Sequence, residues 1–277
     1  MNYSVIIRTK NSEKTIERCL ESLGRQLMKP KDVILVDSGS TDLTLYKANK
    51  FEVKIIYYPK DEEFNYSKAI NIGIKKATSD YILILSSHVE FLDKNSIGWM
   101  YKRLKANSSC ITVSMVRTDN RNQITCDDIE KIKKRKITLE TFSGQAMYNF
   151  CSLIRKSSWD EYHFNENLLR CEDQEWAYNF LNKNFFTEII LKPNIYYKNP
   201  YYNKQKDIWD MITLGETIYP YYISNKYLIK LIKEGIKEYL NGNKIKSYYN
   251  FNIFSGIFRH KYFNKVNIKS IYNKNLK

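Results

Sequence analysis

The chain has 277 residues, of which 43% are hydrophobic and 14% aromatic, and it carries a formal net charge of +15 at pH 7. This length suits one full-sized domain with an appendage or two small domains, and the composition allows a substantial buried core. With nine glycines and five prolines, the chain is neither collagen-like nor of low complexity.

Five scattered cysteines without a Cys-x-x-Cys pair argue against a disulfide framework and a zinc ribbon, and they favour a reducing, cytoplasmic location. The apolar run 5–7 is too short for a signal peptide, and no stretch approaches the roughly 18 apolar residues of a membrane span. We therefore predict neither classical secretion nor a transmembrane segment.

The positive charge is concentrated near the C-terminus. Residues 198–277 hold 15 basic and 5 acidic residues, which is two thirds of the net excess. A basic segment can meet nucleic acid, an anionic membrane surface or a phosphorylated ligand. The alternative is purely compositional, because lysine outnumbers arginine 35 to 10, as an AT-rich genome would produce.

The first hundred residues alternate between short apolar runs and segments of helical periodicity. The predicted strands are 3–8, 33–37, 53–58 and 81–85. The predicted helices are 12–28, with Asn11 or Ser12 as its cap, a short one ending near residue 50, and 66–77. Doubly apolar strands joined by helices predict an α/β fold, with a mostly parallel sheet flanked by helices. Ligands bind beyond the carboxyl ends of such strands, which are the loops 9–12, 37–42 and 86–90.

Beyond residue 95 the pattern is less regular. It predicts helices at 95–106 and from 172, strands at 110–116, 147–154 and 187–191, and a polar, charged segment at 118–138. Basic helical patterns rich in Tyr and Ile follow at 206–224, 226–241 and 244–260. We therefore predict a main domain over residues 1–200 and a basic helical extension over residues 201–277.

Asp37 ends a predicted buried strand and opens the loop Asp-Ser-Gly-Ser-Thr-Asp. A carboxylate there can accept hydrogen bonds from a nucleobase or a ribose hydroxyl, and Ser38 and Gly39 allow close backbone approach. The alternative is an Asx-type turn capping the next helix, which explains Thr41 or Asp42 better than Asp37. Because no strand is followed by Gly-x-Gly-x-x-Gly and no P-loop occurs, a dinucleotide oxidoreductase and a P-loop NTPase lose their main support.

Four blocks in order, SVIIRTKN, VILVDSGSTDLT, FNYSKAINIGIKKATSDYILILS and FNENLLRCEDQEW, resemble family 2 glycosyltransferases of the GT-A fold. The resemblance covers residues 3–190 and is strongest to bacterial enzymes of capsule, O-antigen and other surface-polysaccharide assembly. It implies a nucleotide diphosphate sugar donor, UDP- or dTDP-linked, and transfer with inversion by direct displacement. The implied acceptor is a growing surface polysaccharide or a lipid-linked oligosaccharide.

The resemblance assigns several residues to the nucleotide-sugar donor. They are Thr9, Asn11, Asp37, Ser38, Lys68, Asn71 and Lys198. Many members carry Arg just before the Asn of Asn-x-Gly, whereas this chain has Ile70. Lys68 is a candidate for the missing positive charge, and the alternative is an ordinary exposed helix lysine.

The largest departure from the family is at the end of the fourth strand, where an Asp-x-Asp motif usually holds a divalent metal. This chain has Ser86-Ser87-His88, followed by Glu90. Imidazole can bind Mn²⁺, whereas Mg²⁺ prefers oxygen ligands. Either His88 and Glu90 hold a divalent metal, or a protonated His88 and Lys198 neutralise the leaving diphosphate without one. A further alternative is that His88 is a core histidine.

The Glu172-Asp173 pair matches the acidic pair of the family, in which the Asp is the general base. A helix N-terminus would help to keep Asp173 ionised, and plain helix capping is the alternative. Glu172 is expected to orient its neighbour or an acceptor hydroxyl. Trp176 would stack on an acceptor sugar or pack in the core.

The basic extension suits a peripheral anchor on the inner face of the cell membrane, and the alternatives are a packed helical cap or an oligomer interface. A different class of function is a non-catalytic nucleotide-sugar-binding or scaffold subunit, favoured by the altered metal motif and opposed by the retained Asp173. A specific nucleic-acid partner is not expected, because only the charge supports one.

Overall fold

The computed structural model describes residues 2–120, 133–197, 204–218 and 223–263. The strands are β1 Tyr3–Thr9, β2 Asp32–Asp37, β3 Lys54–Tyr57, β4 Tyr81–Ser86, β5 Val89–Phe91, β6 Cys110–Thr118, β7 Lys133–Ile137, β8 Cys151–Arg155 and β9 Phe186–Tyr197. The helices are α1 Ile16–Gly24, α2 Thr44–Ala48, α3 Tyr66–Lys76, α4 Ser96–Ala106, α5 Lys156–Glu161, α6 Glu172–Leu181, α7 Lys204–Thr217, α8 Asn225–Leu240 and α9 Lys244–Phe263.

Within the described residues, the strands form one sheet in the order β3-β2-β1-β4-β8-β6-β9-β5, with β7 paired to β9. The strands β1 to β4 pair in parallel, whereas β8 runs antiparallel to both β4 and β6. The register places Thr9 beside Asp37 and Arg8 beside Ser86. The carboxyl ends of three neighbouring strands therefore meet at one edge of the sheet, as the α/β prediction requires.

The central strands are buried on both faces, which explains their continuous apolar runs. Val5 and Ile7 of β1 share a core with Ile16 of α1 and Met100 of α4. Ile6 points to the opposite face, where it lies against α3. The predicted α/β sheet flanked by helices is therefore confirmed.

The chain divides into two compact units. The first comprises Met1–Leu168 and Glu172–Asn199, and the second comprises Leu169–Cys171 and Pro200–Lys277. The second unit has its own apolar core, drawn from α7, α8 and α9 and made of Ile212, Tyr227, Leu228, Leu231, Ile253 and Ile257. Among the described residues, no helix is both long enough and apolar enough to cross a membrane.

Several elements differ from the sequence expectations. Helix α1 begins at Ile16 without a side-chain cap in the described structure, because residues 12–15 form a turn closed on the Ser12 carbonyl. Asn11 and Ser12 are therefore not the predicted cap. The strands β5 and β7 and the helix α5 were not predicted. In the charged segment 118–138, the lysine-rich β7 pairs with β9, whereas residues 121–132 lie outside the described part.

Candidate active site

The loop after β2 is built around the Asp37 carboxylate, which is only 1% exposed. Its Oδ2 accepts hydrogen bonds from the backbone N–H groups of Gly39 and Ser40, each over 3.0 Å, and its Oδ1 accepts from the Ser40 hydroxyl. Gly39 has φ +84°, a conformation that glycine adopts without strain. The Asx-type turn expected at Asp42 is also present, since Asp42 Oδ1 accepts a hydrogen bond from the Thr44 N–H over 2.9 Å at the start of α2. Asp37 makes a turn of its own, which the sequence did not favour.

The loop after β1 lies against this turn. The Thr9 carbonyl accepts a hydrogen bond from the Ser38 N–H over 3.0 Å. Asn11, at φ +47°, accepts one from the Thr41 N–H over 2.8 Å through its side chain. The predicted donor residues Thr9, Asn11, Asp37 and Ser38 are thus brought together.

His88 follows β4 and is held against the start of α1. Its Nδ1 lies 3.0 Å from the Thr15 hydroxyl, and the preceding Ser87 hydroxyl lies 2.8 Å from that of Ser12. Burial lowers the pKa of His88 to about 4, because it disfavours the charged imidazolium. Without a bound ligand His88 is therefore a neutral imidazole at pH 7, which weighs against the alternative of a protonated His88.

The same loop offers an incomplete set of metal ligands. A neutral imidazole is a good ligand for Mn²⁺, and Glu90 on β5 adds a carboxylate. In the described ranges, however, no group of three or more His, Cys, Asp or Glu side chains is placed to hold a metal ion. The side chains in this part of the chain therefore do not by themselves form a complete metal centre.

Lys68 is not an isolated cation. Its ammonium forms an ion pair with Glu62, which raises the pKa of Lys68. Ile70, which stands where many family members were expected to carry Arg, is fully buried. Lys198, the other predicted donor cation, lies outside the described residues.

The Asn71 side-chain amide is used within the domain interior. Its Nδ2 donates to the Phe164 carbonyl over 2.8 Å and to Glu166 over 2.9 Å. Its Oδ1 accepts from the Trp159 indole over 2.9 Å and from the Phe164 N–H over 3.2 Å. Two donors and two lone pairs are then occupied, which favours a structural role over the predicted donor contact.

Glu172 and Asp173 occupy the first turn of α6 and are both buried. The Asn149 N–H donates to Asp173 Oδ2 over 3.0 Å, and the Gln174 N–H donates to Oδ1 over 2.9 Å. The Asn149 side chain donates to Glu172 over 2.5 Å. The predicted pair is thus anchored on the segment that leads into β8.

Arg8, near the end of β1, lies beside the predicted acidic pair, and it was not among the residues predicted from the sequence. Its Nη1 lies 3.7 Å from Glu172 Oε1, and its guanidinium lies 5.0 Å from the Tyr66 ring centroid. Arginine at the carboxyl end of an otherwise apolar strand, one residue before Thr9, is the signal that could have identified it.

Trp176 was predicted to contact the acceptor, and that prediction is wrong. Its side chain is fully buried, it stacks on Phe164 with ring centroids 5.3 Å apart, and its indole donates to the Tyr162 carbonyl over 2.6 Å. The core alternative describes it correctly.

Comparison with known families gives these features a context. The model of the family described as Glycosyl transferase family 2 matches residues 4–162, which is more than half of the chain. The chain belongs to glycosyl transferase family 2. The match covers the loops after β1, β2 and β4 and ends before α6.

Curated relatives of this family 2 chain include bacterial glycosyltransferases. A PGL/p-HBAD biosynthesis glycosyltransferase of Mycobacterium tuberculosis is 34% identical over 99 residues, 35% of this chain and 39% of that protein. The poly(ribitol-phosphate) beta-N-acetylglucosaminyltransferase TarS of Staphylococcus aureus is 26% identical over 211 residues, 71% of this chain and 35% of that protein. This chain therefore matches well under half the length of these two relatives.

Solved structures share the fold of this family 2 chain. S. aureus TarS residues 1–349 in complex with UDP-GlcNAc superposes with TM-score 0.56 at 18% identity, over 80% of this chain and 70% of that one. The mannosyltransferase PcManGT of Pyrobaculum calidifontis, in complex with GDP-Man and Mn²⁺, gives TM-score 0.63 at 13% identity, over 95% and 88%. The predicted GT-A fold is confirmed.

Proposed function

We propose that this protein is an inverting glycosyltransferase that uses a nucleotide diphosphate sugar, UDP- or dTDP-linked. The acceptor in this proposal is a saccharide of a surface polymer or a lipid-linked oligosaccharide. Family membership supports it, and so does a relative named as a poly(ribitol-phosphate) beta-N-acetylglucosaminyltransferase. The observation that carries it is the anchored Asp173 carboxylate, because a pure binding subunit has no need of a positioned base.

The proposed chemistry is one displacement at the anomeric carbon. Asp173 takes the proton of an acceptor hydroxyl as its oxygen attacks from the face opposite the leaving group. The new glycosidic bond forms as the bond to the diphosphate breaks, and the nucleoside diphosphate leaves with the electron pair. The backbone N–H groups of Asn149 and Gln174 hold the carboxylate for this step.

The donor would lie at the edge where β1, β2 and β4 end. The Thr9 hydroxyl is buried without a hydrogen-bond partner among the described residues, and the Asp37 turn lies next to it. A carboxylate has about four lone-pair sites. Asp37, which accepts three hydrogen bonds from its own loop, therefore retains capacity for a nucleoside group.

A divalent metal is the cofactor that we propose to test, because PcManGT binds GDP-Man together with Mn²⁺. His88 and Glu90 are the candidate ligands, and no catalytic step is assigned through the metal. Metal dependence would be measured as transfer with Mn²⁺, Mg²⁺ or EDTA, for the wild type and for His88→Ala.

The decisive experiment measures donor binding and acceptor transfer with a panel of UDP-, dTDP- and GDP-sugars on the wild type, Asp173→Asn and Glu175→Gln. Glu175 lies on the same helix but bonds to the Tyr162 hydroxyl, so it serves as the matched control. We expect Asp173→Asn to bind the donor and to lose transfer by at least about 100-fold, with Glu175→Gln close to wild type. A donor that binds without transfer to any acceptor would favour the scaffold subunit, and the absence of donor binding would refute both.

We also propose that α8 lies on an anionic membrane surface, which would make the protein peripheral. In α8, Leu228 and Leu231 are buried, whereas Ile229, Ile236 and Leu240 are exposed. At 100° per residue, these three form one stripe beside a lysine stripe. The lysines are Lys226, Lys230, Lys233 and Lys237.

This surface is tested by flotation with vesicles of phosphatidylcholine alone or mixed with phosphatidylglycerol. We expect binding to the anionic vesicles only, and its loss when Ile229, Ile236 and Leu240 are changed to Ser. If those changes instead convert a dimer to a monomer without affecting flotation, the stripe is an oligomer interface.

A further inference from the structure

The side chain of Arg8 is nine-tenths buried, yet it is poorly satisfied. Its Nη2 donates to the Asn149 carbonyl over 3.3 Å, whereas its Nε and Nη1 are buried without a hydrogen-bond partner in the part of the chain that the structure describes. Leaving a buried donor without a partner costs free energy, and such groups in a folded protein call for an explanation.

Two other arginines of the same domain show what a structural role looks like. Arg103 makes a bidentate pair with Glu188 over 2.8 and 2.7 Å. Arg155 donates to several backbone carbonyls, including those of Cys110 and Asn107. Both are well satisfied, and Arg8 is not.

Arg8 is connected to both residues of the acidic pair through Asn149. Asn149 is the link, since its carbonyl accepts from Arg8, its side chain donates to Glu172, and its N–H donates to Asp173. Arg8 Nη1 also faces Glu172 at 3.7 Å, which is an ion pair without a hydrogen bond. One cation and one asparagine thus tie both carboxylates to the end of β1.

We propose that Arg8 is a positioning residue for the general base, acting through Glu172 and Asn149. This inference rests on the proposed role of Asp173. The positive charge of Arg8 faces the acidic pair from the end of β1, 3.7 Å from Glu172 Oε1. Its bond to the Asn149 carbonyl fixes the peptide segment whose N–H aims Asp173 Oδ2.

The loose fit of Arg8 is part of this inference. The guanidinium donates to one carbonyl and faces one carboxylate at 3.7 Å. It therefore retains N–H groups that can form shorter hydrogen bonds when the nucleotide sugar and the acceptor bind. Three tyrosines are the titratable groups near Arg8 and the acidic pair. Tyr66 lies under the guanidinium, and the Arg8 charge acts on Tyr197. The pKa of Tyr148 is raised by burial and, in smaller part, by Asp173.

The experiment compares Arg8→Met, Arg8→Lys and Arg103→Met with the wild type. The control Arg103→Met breaks a partly buried Arg–Glu pair of the same domain, and neither bond of that pair involves Asn149, Glu172 or Asp173. For each variant, donor Kd, kcat and the pH profile of kcat are measured, with thermal unfolding to establish that the variant is folded.

We expect Arg8→Met to lower kcat by about 10- to 100-fold while the donor Kd changes by less than about twofold, because misplacing a base costs rate and not donor binding. The acid limb of kcat should move to higher pH, because the change removes a positive charge near the proposed base. Arg8→Lys should return the acid limb toward its wild-type pH more fully than it restores kcat, because lysine supplies the positive charge but lacks the planar guanidinium. Arg103→Met should lower Tm without moving the acid limb.

Three outcomes would overturn the proposal. The first is that Arg8→Met behaves like Arg103→Met, the second is that it retains wild-type kcat, and the third is that only its donor Kd changes. If Arg8→Met does not fold, Asn149→Asp replaces it, since that change opposes Glu172 with a second carboxylate and should move kcat and the acid limb in the same directions. A fully active Asp173→Asn would instead refute the base, whereas an inactive Asp173→Asn with an unaffected Arg8→Met would refute only the positioning role.

Discussion

The hydroxyl of Thr15 lies 3.0 Å from Nδ1 of His88, which joins the start of α1 to the loop after β4. The imidazole is largely buried there, and its pKa falls to about 4. In the protein without ligand the His88 side chain therefore carries no charge at neutral pH.

This burial makes stability depend on pH in a defined direction. The unfolded chain takes up the His88 proton near pH 6.5, whereas the folded chain resists until about pH 4. Between these values the unfolded state binds more protons, so stability is complete above about pH 6.5 and decreases as the pH falls toward 4. Urea unfolding at pH 7.5 and 4.5 should show a contribution from His88 of up to about 2.5 kcal/mol.

The matched variant is His88→Asn, which cannot titrate in this range and can still bond to Thr15. It should lose less stability than the wild type between pH 7.5 and 4.5. Equal losses in the two proteins would place the His88 pKa near its ordinary value and would reopen the possibility of a cationic imidazole.

Asn71 gives a second prediction, because its four hydrogen-bonding positions are occupied within the domain. Asn71→Asp removes two donors and sets a second carboxylate beside Glu166. We expect the free energy of unfolding to fall by about 2–4 kcal/mol, as for other buried polar groups that lose their partners. Urea unfolding and donor calorimetry would be run together. A stable variant that binds the nucleotide sugar much more weakly would support the original prediction that Asn71 contacts it.

The fold was predictable because its central strands are apolar on both faces and alternate with helical segments. The sequence could not identify β7, because Lys133–Ile137 carries four basic residues and its strand state depends on pairing with β9. Tertiary contacts decide such a segment, and local periodicity does not.

The site was partly predictable for a similar reason. Asp37 and Asp173 stand in recognisable motifs, and the structure gives both carboxylates backbone N–H partners. The role of Trp176 was wrong because helical spacing does not show which neighbours cover a face. Arg8 was missed because its importance depends on Asn149 and Glu172, which are distant in the sequence.

Trp176 supports a third prediction. In Trp176→Phe the stack on Phe164 is kept, while the bond from the indole to the Tyr162 carbonyl is lost. The free energy of unfolding should fall by about 1–3 kcal/mol, since a buried carbonyl loses its donor and the smaller ring leaves space. The acceptor KM should stay at its wild-type value. A large rise in acceptor KM at unchanged stability would return Trp176 to the acceptor site.

The close packing around Gly73 explains why the Asn-x-Gly block has a glycine at this position. It lies on the face of α3 that packs against β1 and β2, and a Cβ there would overlap Ile6 Cγ2 and approach Val36 Cγ2 to 3.1 Å. Both neighbours are β-branched and buried, so neither can move aside cheaply. Gly73→Ala should therefore destabilise the fold by about 1–3 kcal/mol, despite the better helix propensity of alanine.

Gly98 in α4 is the matched control, because nothing lies within 4 Å of the Cβ that alanine would add. Gly98→Ala should stabilise the fold by about 0.5–1 kcal/mol through helix propensity alone. The two variants make the same chemical change and should move the urea midpoint in opposite directions. If both raise the midpoint, α3 does not pack against Ile6 as closely as described, and steric exclusion cannot be the reason for a glycine at position 73.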